Sequence, residues 1–167
     1  MPTPNDAFED LLLYRIYRMS SVASAMVVRL CEGGYGITRR EWRILALLQG
    51  HDGMTPSALA DKVQLDRART SRAIGALVAK KLIVRTPAVA DRRGAQLALT
   101  REGQRLYKEL MPQIQAINQR ILSVLNEAQS TQFQDSLERL RVSAQALHNE
   151  AMTALPKAQR HLGQKAK

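Results

Sequence analysis

The chain has 167 residues, 45% hydrophobic but only 4% aromatic, enough for one packed domain whose core is built from Leu, Ile, Val and Ala. A formal net charge of +10 points first to nucleic acid and second to an anionic membrane surface, and a single cysteine, Cys31, excludes an internal disulfide framework. No apolar run approaches the roughly 20 residues of a membrane span, and residues 1–6 lack the basic and apolar segments of a secretory signal, so a cytoplasmic protein with no membrane partner is expected.

Residues 6–31 predict a long amphipathic helix. Phe8, Leu11, Leu12, Ile16, Met19, Ala23, Met26, Val27 and Leu30 recur at three- and four-residue steps. Such a helix is about 39 Å long, too long to pack only on its own small domain. Gly33-Gly34-Tyr35-Gly36 is expected to stop it. Thr38-Arg39-Arg40-Glu41 then reads as a capping box, with Ile37 and Trp42 at the two positions of a hydrophobic staple. This second helix runs through Ile44, Leu45, Leu47 and Leu48 and ends at Gln49–Gly53.

Thr55-Pro56 supplies a hydroxyl cap and a first-turn proline for a short helix to Val63 that carries Ser57. Gln64-Leu65-Asp66 turns into a third helix, Arg67–Lys80, with Asp66 as its expected cap. Two short helices across a tight turn predict a helix-turn-helix. One side of the third helix gathers Thr70, Ile74, Leu77 and Val78; the other carries Ala68, Arg72, Gly75 and Ala76, flanked by Arg69 and Ser71. Small residues let a helix sit deep in a groove, and arginines beside them reach base edges or phosphates. A merely solvated face would more often carry Glu and Lys.

Leu82–Thr86 and Ala95–Thr100 predict two strands, and Pro87–Gly94 between them a hairpin tip bearing Arg92 and Arg93. An arginine at such a tip can enter a minor groove. From Lys62 to Arg93 there are nine lysines and arginines against two aspartates, so most of the net charge sits in one short stretch. Thr100 caps a helix over about 101–124, and Asn126-Glu127-Ala128-Gln129 opens a last one, packed by Phe133, Leu137, Leu140, Val142, Ala144 and Leu147. Residues 156–167 form a basic tail expected to be disordered.

This order of elements resembles the multiple antibiotic resistance regulator (MarR) family. The resemblance rests on Leu65-Asp66-Arg67-Ala68, Lys80-Lys81-Leu82-Ile83, Asp91-Arg92-Arg93 and Leu97-Ala98-Leu99-Thr100-Arg101-Glu102-Gly103. It implies a mainly α fold with a small β-wing, in which residues 37–100 form a winged helix-turn-helix and residues 6–32 and 101–155 interlock with a second copy. It implies a homodimer on palindromic operator DNA, acting as a repressor, with recognition helices in successive major grooves. The DNA-facing residues are then Ser57, Arg67, Arg69, Thr70, Ser71, Arg72, Asp91, Arg92 and Arg93, with Asp91 bracing Arg93. Two departures stand out. Lys81 occupies a left-handed position where relatives often have Gly, at a cost on the order of 1 kcal/mol. Thr70 is more polar than usual there.

The resemblance also implies release of DNA by a small anionic aromatic effector. Arg15, Arg18, Trp42, Arg43 and His51 are the candidate ligand-binding residues, with Tyr14, Tyr17 and Arg39 as further possible lining. An alternative is a redox-responsive regulator sensing oxidant through Cys31, against which stands its reading as a small buried hydrophobe. A third reading is a helical adaptor whose basic module binds protein or RNA. His51, His148 and His161 lack metal-site spacing and no catalytic constellation emerges, so neither an enzyme nor a cofactor is expected.

Overall fold

The structure is a computed structural model that describes residues 7–51, 53–63, 67–87 and 95–155. It falls into two compact units dividing between Ile121 and Leu122. Asp66, the wing-tip residues 88–94 and the basic tail therefore lie outside the described residues.

In the first unit the opening helix is shorter than its pattern predicts. A single 3-10 turn, Phe8–Asp10, precedes α1, Leu12–Arg29. Leu11 between them has extended backbone (φ −61°, ψ 130°), which breaks the run. At the other end Gly33 and Gly34 do not stop the helix but lie in a π-helical turn, Leu30–Gly34. Gly36, at φ +61°, reverses the chain, and the Ile37 amide closes on the Cys31 carbonyl at 3.1 Å. No residue of α1 is buried.

Helix α2, Arg39–Gln49, starts on the expected capping box: the Glu41 amide donates to Thr38 Oγ1 at 3.2 Å, and the Thr38 amide to Glu41 Oε2 at 2.6 Å. Helix α3, Pro56–Val63, is capped by Thr55, whose Oγ1 accepts from the Ala58 amide. Helix α4, Arg67–Ala79, ends in a Schellman motif, with Leu82 N–H on Leu77 O and Lys81 N–H on Val78 O. Lys81 supplies the left-handed residue of that motif at φ 58°, as expected from its place in the sequence. This bend delays the first strand by one residue: β1, Ile83–Pro87, pairs antiparallel with β2, Ala95–Leu99, in the register Ile83 to Leu99 and Pro87 to Ala95. Met54 adds a lone bridge to Leu97, tying the α2–α3 connection to the wing.

Helix α5, Arg101–Leu122, is capped by Thr100, whose Oγ1 accepts from the Gly103 amide at 3.0 Å. The core joins Ile37, Ile44, Leu45 and Leu48 to Leu59, Ile74, Leu77, Ile83, Leu97 and Leu110. Apolar side chains at helical and alternating spacing thus meet around the wing base, and each fully buried one contributes roughly 1.5–3 kcal/mol. Trp42 stacks on Tyr107 with ring centroids 5.6 Å apart, joining α2 to α5.

The second unit is dominated by α6, Glu127–Ala154. Its predicted box is present, with the Gln129 amide on Asn126 Oδ1 at 2.9 Å and the Asn126 amide on Gln129 Oε1 at 3.0 Å. Phe133, Leu137, Leu140, Val142, Ala144 and Leu147, expected to pack this helix, are all exposed on the single chain.

Candidate nucleic-acid interface

Helix α4 presents two chemically different faces. Thr70, Ala73, Ile74 and Leu77 are buried against the core. Arg67, Ala68, Arg69, Ser71, Arg72 and Gly75 are exposed. The exposed face therefore combines three arginines with small residues and has no carboxylate. A Cβ added at Gly75 would meet nothing within 4 Å, so the residue leaves open space on that face. The exposed Arg72 makes a long hydrogen bond within the helix, its Nε donating to the Ala68 carbonyl at 3.4 Å. Ser57 is exposed on α3, which packs against α4.

Two expectations change. Thr70 is 1% exposed, so its side chain lies in the core and is removed from the residues that can reach a phosphate. Val78, expected on the inner side, is exposed, and Ala73 takes its place because the buried stripe is rotated about the helix axis toward Ala73. Asp91, Arg92 and Arg93 lie outside the described residues.

The basic stretch also contains lysines whose ammonium groups are engaged by other residues of the protein. Lys80 Nζ donates to the Gly36 carbonyl at 2.8 Å and to Glu41 Oε1 and Oε2 at 3.0 and 2.9 Å. Lys62 Nζ donates to His51 Nε2 at 2.7 Å, while His51 Nδ1 faces the Leu47 carbonyl at 3.1 Å. Those two contacts fit the neutral ring protonated on Nδ1. Glu41 is the buried acid that the sequence reading missed. Burial pushes its carboxyl up, but the hydrogen bonds from Thr38 and Lys80 outweigh this and hold it below the usual carboxylate range. The capping box marked Glu41 as tethered; its partner 39 residues away left no sequence signal.

The candidate ligand residues divide among separate places. Trp42 and Arg43 do meet, lining a cavity of about 400 Å³ with Arg39, Val27, Ala46 and Leu47. Arg15 and Arg18 line another opening beside Glu9 and Asp10, acids that disfavour an anionic guest. Tyr14 packs on Phe8 with centroids 4.5 Å apart, and Arg18 lies over the Tyr14 ring. Neither cavity includes His51 or Tyr17. Cys31 is fully buried; burial pushes its thiol up, Glu32 adds to the rise, and Arg39 opposes it. A buried thiol held in its protonated form is a poor nucleophile toward oxidant, which weighs against the redox alternative. Among the described residues no cluster of metal-ligating side chains occurs, and no helix is long and apolar enough to cross a membrane.

Comparison with known proteins agrees with this architecture. Residues 35–94 match the family model described as the MarR family. The chain is 29% identical over 117 residues to the HTH-type transcriptional repressor MdtR of Bacillus subtilis, covering 70% of this chain and 76% of MdtR. Its fold is similar to S. aureus MepR in complex with DNA (TM-score 0.72, 24% identity, 83% of this chain and 99% of that one). It is also similar to CouR of Rhodococcus jostii RHA1 bound to p-coumaroyl-CoA (TM-score 0.71, 23% identity, 81% and 94%). The winged helix built on α2 to β2, with its arginine-bearing α4, is thus the part of the chain that is similar to the MarR family and to an HTH-type transcriptional repressor.

Proposed function

We propose that the chain is a ligand-responsive repressor that binds a palindromic operator as a homodimer in the cytoplasm. The observation that carries this reading is the exposed face of α4, where Arg67, Arg69 and Arg72 flank Ala68, Ser71 and Gly75. Those side chains suit a major groove: the small ones allow close approach, and arginine forks match guanine edges and phosphates. Residues 37–100 read the DNA, with Arg93 at the wing tip entering the minor groove and Asp91 bracing it. Residues 6–32 and 101–155 form the dimer, a role supported by exposed Leu11, Leu12, Leu13 and Val22 on the first segment and by the apolar face of α6.

The test is a mobility-shift titration of Arg72→Ala and Arg93→Ala on a duplex selected from a randomised pool. Each is expected to weaken binding about tenfold or more, since a lost groove contact is worth roughly 1–3 kcal/mol. Unchanged affinity in both variants overturns the assignment.

The effector proposed is a small aromatic carboxylate held in the cavity of Arg39, Trp42 and Arg43. Two guanidinium groups beside an indole offer a carboxylate fork and an apolar wall. CouR, bound to p-coumaroyl-CoA, supports an aromatic guest on this fold. The redox alternative makes a separate prediction. Cys31→Ser is expected to leave operator release by hydrogen peroxide the same as in the unsubstituted protein; peroxide release that vanishes only in the variant restores that alternative.

A further inference from the structure

Lys80 lies immediately beyond α4, the helix proposed to enter the groove, and its position in the basic stretch suggests a phosphate contact. The geometry says otherwise. Its three ammonium donors meet three acceptors inside the protein: the Gly36 carbonyl and both oxygens of Glu41. Glu41 is 3% exposed and also accepts from the Thr38 amide at 2.6 Å. The carboxylate is thereby fixed to the first turn of α2, and Gly36 belongs to the left-handed reversal that follows α1. The next residue, Lys81, is pinned separately, because its carbonyl accepts from Thr100 Oγ1 at 2.7 Å at the start of α5. The C-terminal end of α4 is thus held from two sides, by an ion pair to α2 and by a hydrogen bond to the wing base.

We infer that Glu41 and Lys80 are positioning residues for sequence-specific DNA binding: their ion pair fixes the angle at which α4 is presented to the groove. This rests on α4 being the DNA-reading helix. The carboxylate of this pair is buried while the ammonium is 38% exposed, and such a pair contributes little net stability but favours one arrangement of the groups it joins. Removing Lys80 leaves the Glu41 carboxylate buried without its counter-charge, removing Glu41 leaves the Lys80 ammonium without its anchor, and with one of its two ties gone the end of α4 can shift in response. Base readout tolerates such shifts poorly, whereas phosphate attraction is nearly blind to them.

The consequence runs against simple electrostatics. Glu41 is an acid in a protein that binds a polyanion, so deleting its charge should, by Coulomb attraction alone, strengthen DNA binding. The positioning role has the opposite sign. Glu41→Gln keeps the side-chain shape and, as Gln also serves at the third position of a capping box, keeps the helix cap.

The experiment measures binding to a duplex selected from a randomised pool and to a shuffled duplex of the same composition, over a range of salt, per active molecule counted by stoichiometric titration. Glu41→Gln and Lys80→Met are each expected to lose about tenfold on the selected duplex and little on the shuffled one. The dependence on salt stays unchanged, the double variant is no worse than either single one, and Lys80→Arg keeps most of the affinity. The inference is overturned if Glu41→Gln binds the selected duplex as tightly as the unsubstituted protein or more tightly. It is equally overturned if Lys80→Met weakens both duplexes alike and lowers the salt slope by about one, the mark of a phosphate contact. Failure of the unsubstituted protein to prefer any selected duplex would instead count against the DNA-reading role itself.

Discussion

Gly103→Ala is expected to destabilise the protein by about 2–3 kcal/mol, although it exchanges the poorer helix former for the best one. Gly103 sits in the first turn of α5, and a Cβ there would lie 2.0 Å from the Leu82 carbonyl oxygen and 3.1 Å from its carbon. The obstacle is backbone, so no rotamer change relieves it. That carbonyl also accepts the Thr100 amide at 3.1 Å, and Thr100 caps α5 through the Gly103 amide. A shift large enough to admit the methyl therefore strains the wing base and the cap together. In a thermal melt the loss corresponds to a fall of roughly 5–10 °C. Gly75→Ala is the control of opposite sign. Its Cβ meets nothing, so the melting temperature should rise as the helix gains about 1 kcal/mol. Equal melting temperatures for Gly103→Ala and the unsubstituted protein would mean that α5 can move away from β1 freely.

Much of this fold was legible because its signals are local. Thr38 with Glu41, Thr55 with Pro56, Thr100, and Asn126 with Gln129 each place a hydrogen-bond acceptor at a helix start, and each forms its predicted bond or cap. The resemblance marks Lys81 as a left-handed residue, since relatives often carry Gly at that helix end, and its φ of 58° agrees. The exposed face of α4 followed from periodicity, and its arginines appear where spacing put them.

What sequence could not supply was contact across long separations. Periodicity puts Thr70 on the inner side with Ile74 and Leu77, while the resemblance places it among the DNA-facing residues; packing of α4 on the core buries it, in line with the periodicity. Lys80 read as one more cation of a basic stretch, and only the fold brings it to Glu41. The ligand residues show the same limit: Trp42, Arg39 and Arg43 come together through α2, while Arg15 and Arg18 on α1 sit beside Glu9 and Asp10 instead. The first helix was drawn as continuous because its apolar spacing continues through Leu11, where the backbone departs from helix.

The proposed homodimer makes a second strong prediction: Leu140→Glu on α6 is expected to separate the two copies. Phe133, Leu137, Leu140, Ala144 and Leu147 follow steps of four, three, four and three, the spacing of a coiled-coil seam. Phe133, Leu137 and Leu140 are between 41% and 44% exposed and Leu147 is 61% exposed, so the seam is uncovered on one chain. The 28-residue helix, with its capping box intact, is about 42 Å long, and the stripe from Phe133 to Leu147 runs along about 21 Å of it. A second copy supplies an identical stripe, which a two-fold axis can bring face to face. A glutamate in the middle of the seam would bury an unpaired charge in each protomer at the same place, two like charges facing each other. Sedimentation should then report single chains, and operator affinity should fall about a hundredfold or more, because two half-site contacts no longer share one molecule. Arg67, Arg69 and Arg72 are untouched by the substitution, so binding to a shuffled duplex should decline far less. Retention of the dimer by Leu140→Glu, with operator affinity intact, would place the interface elsewhere on the chain.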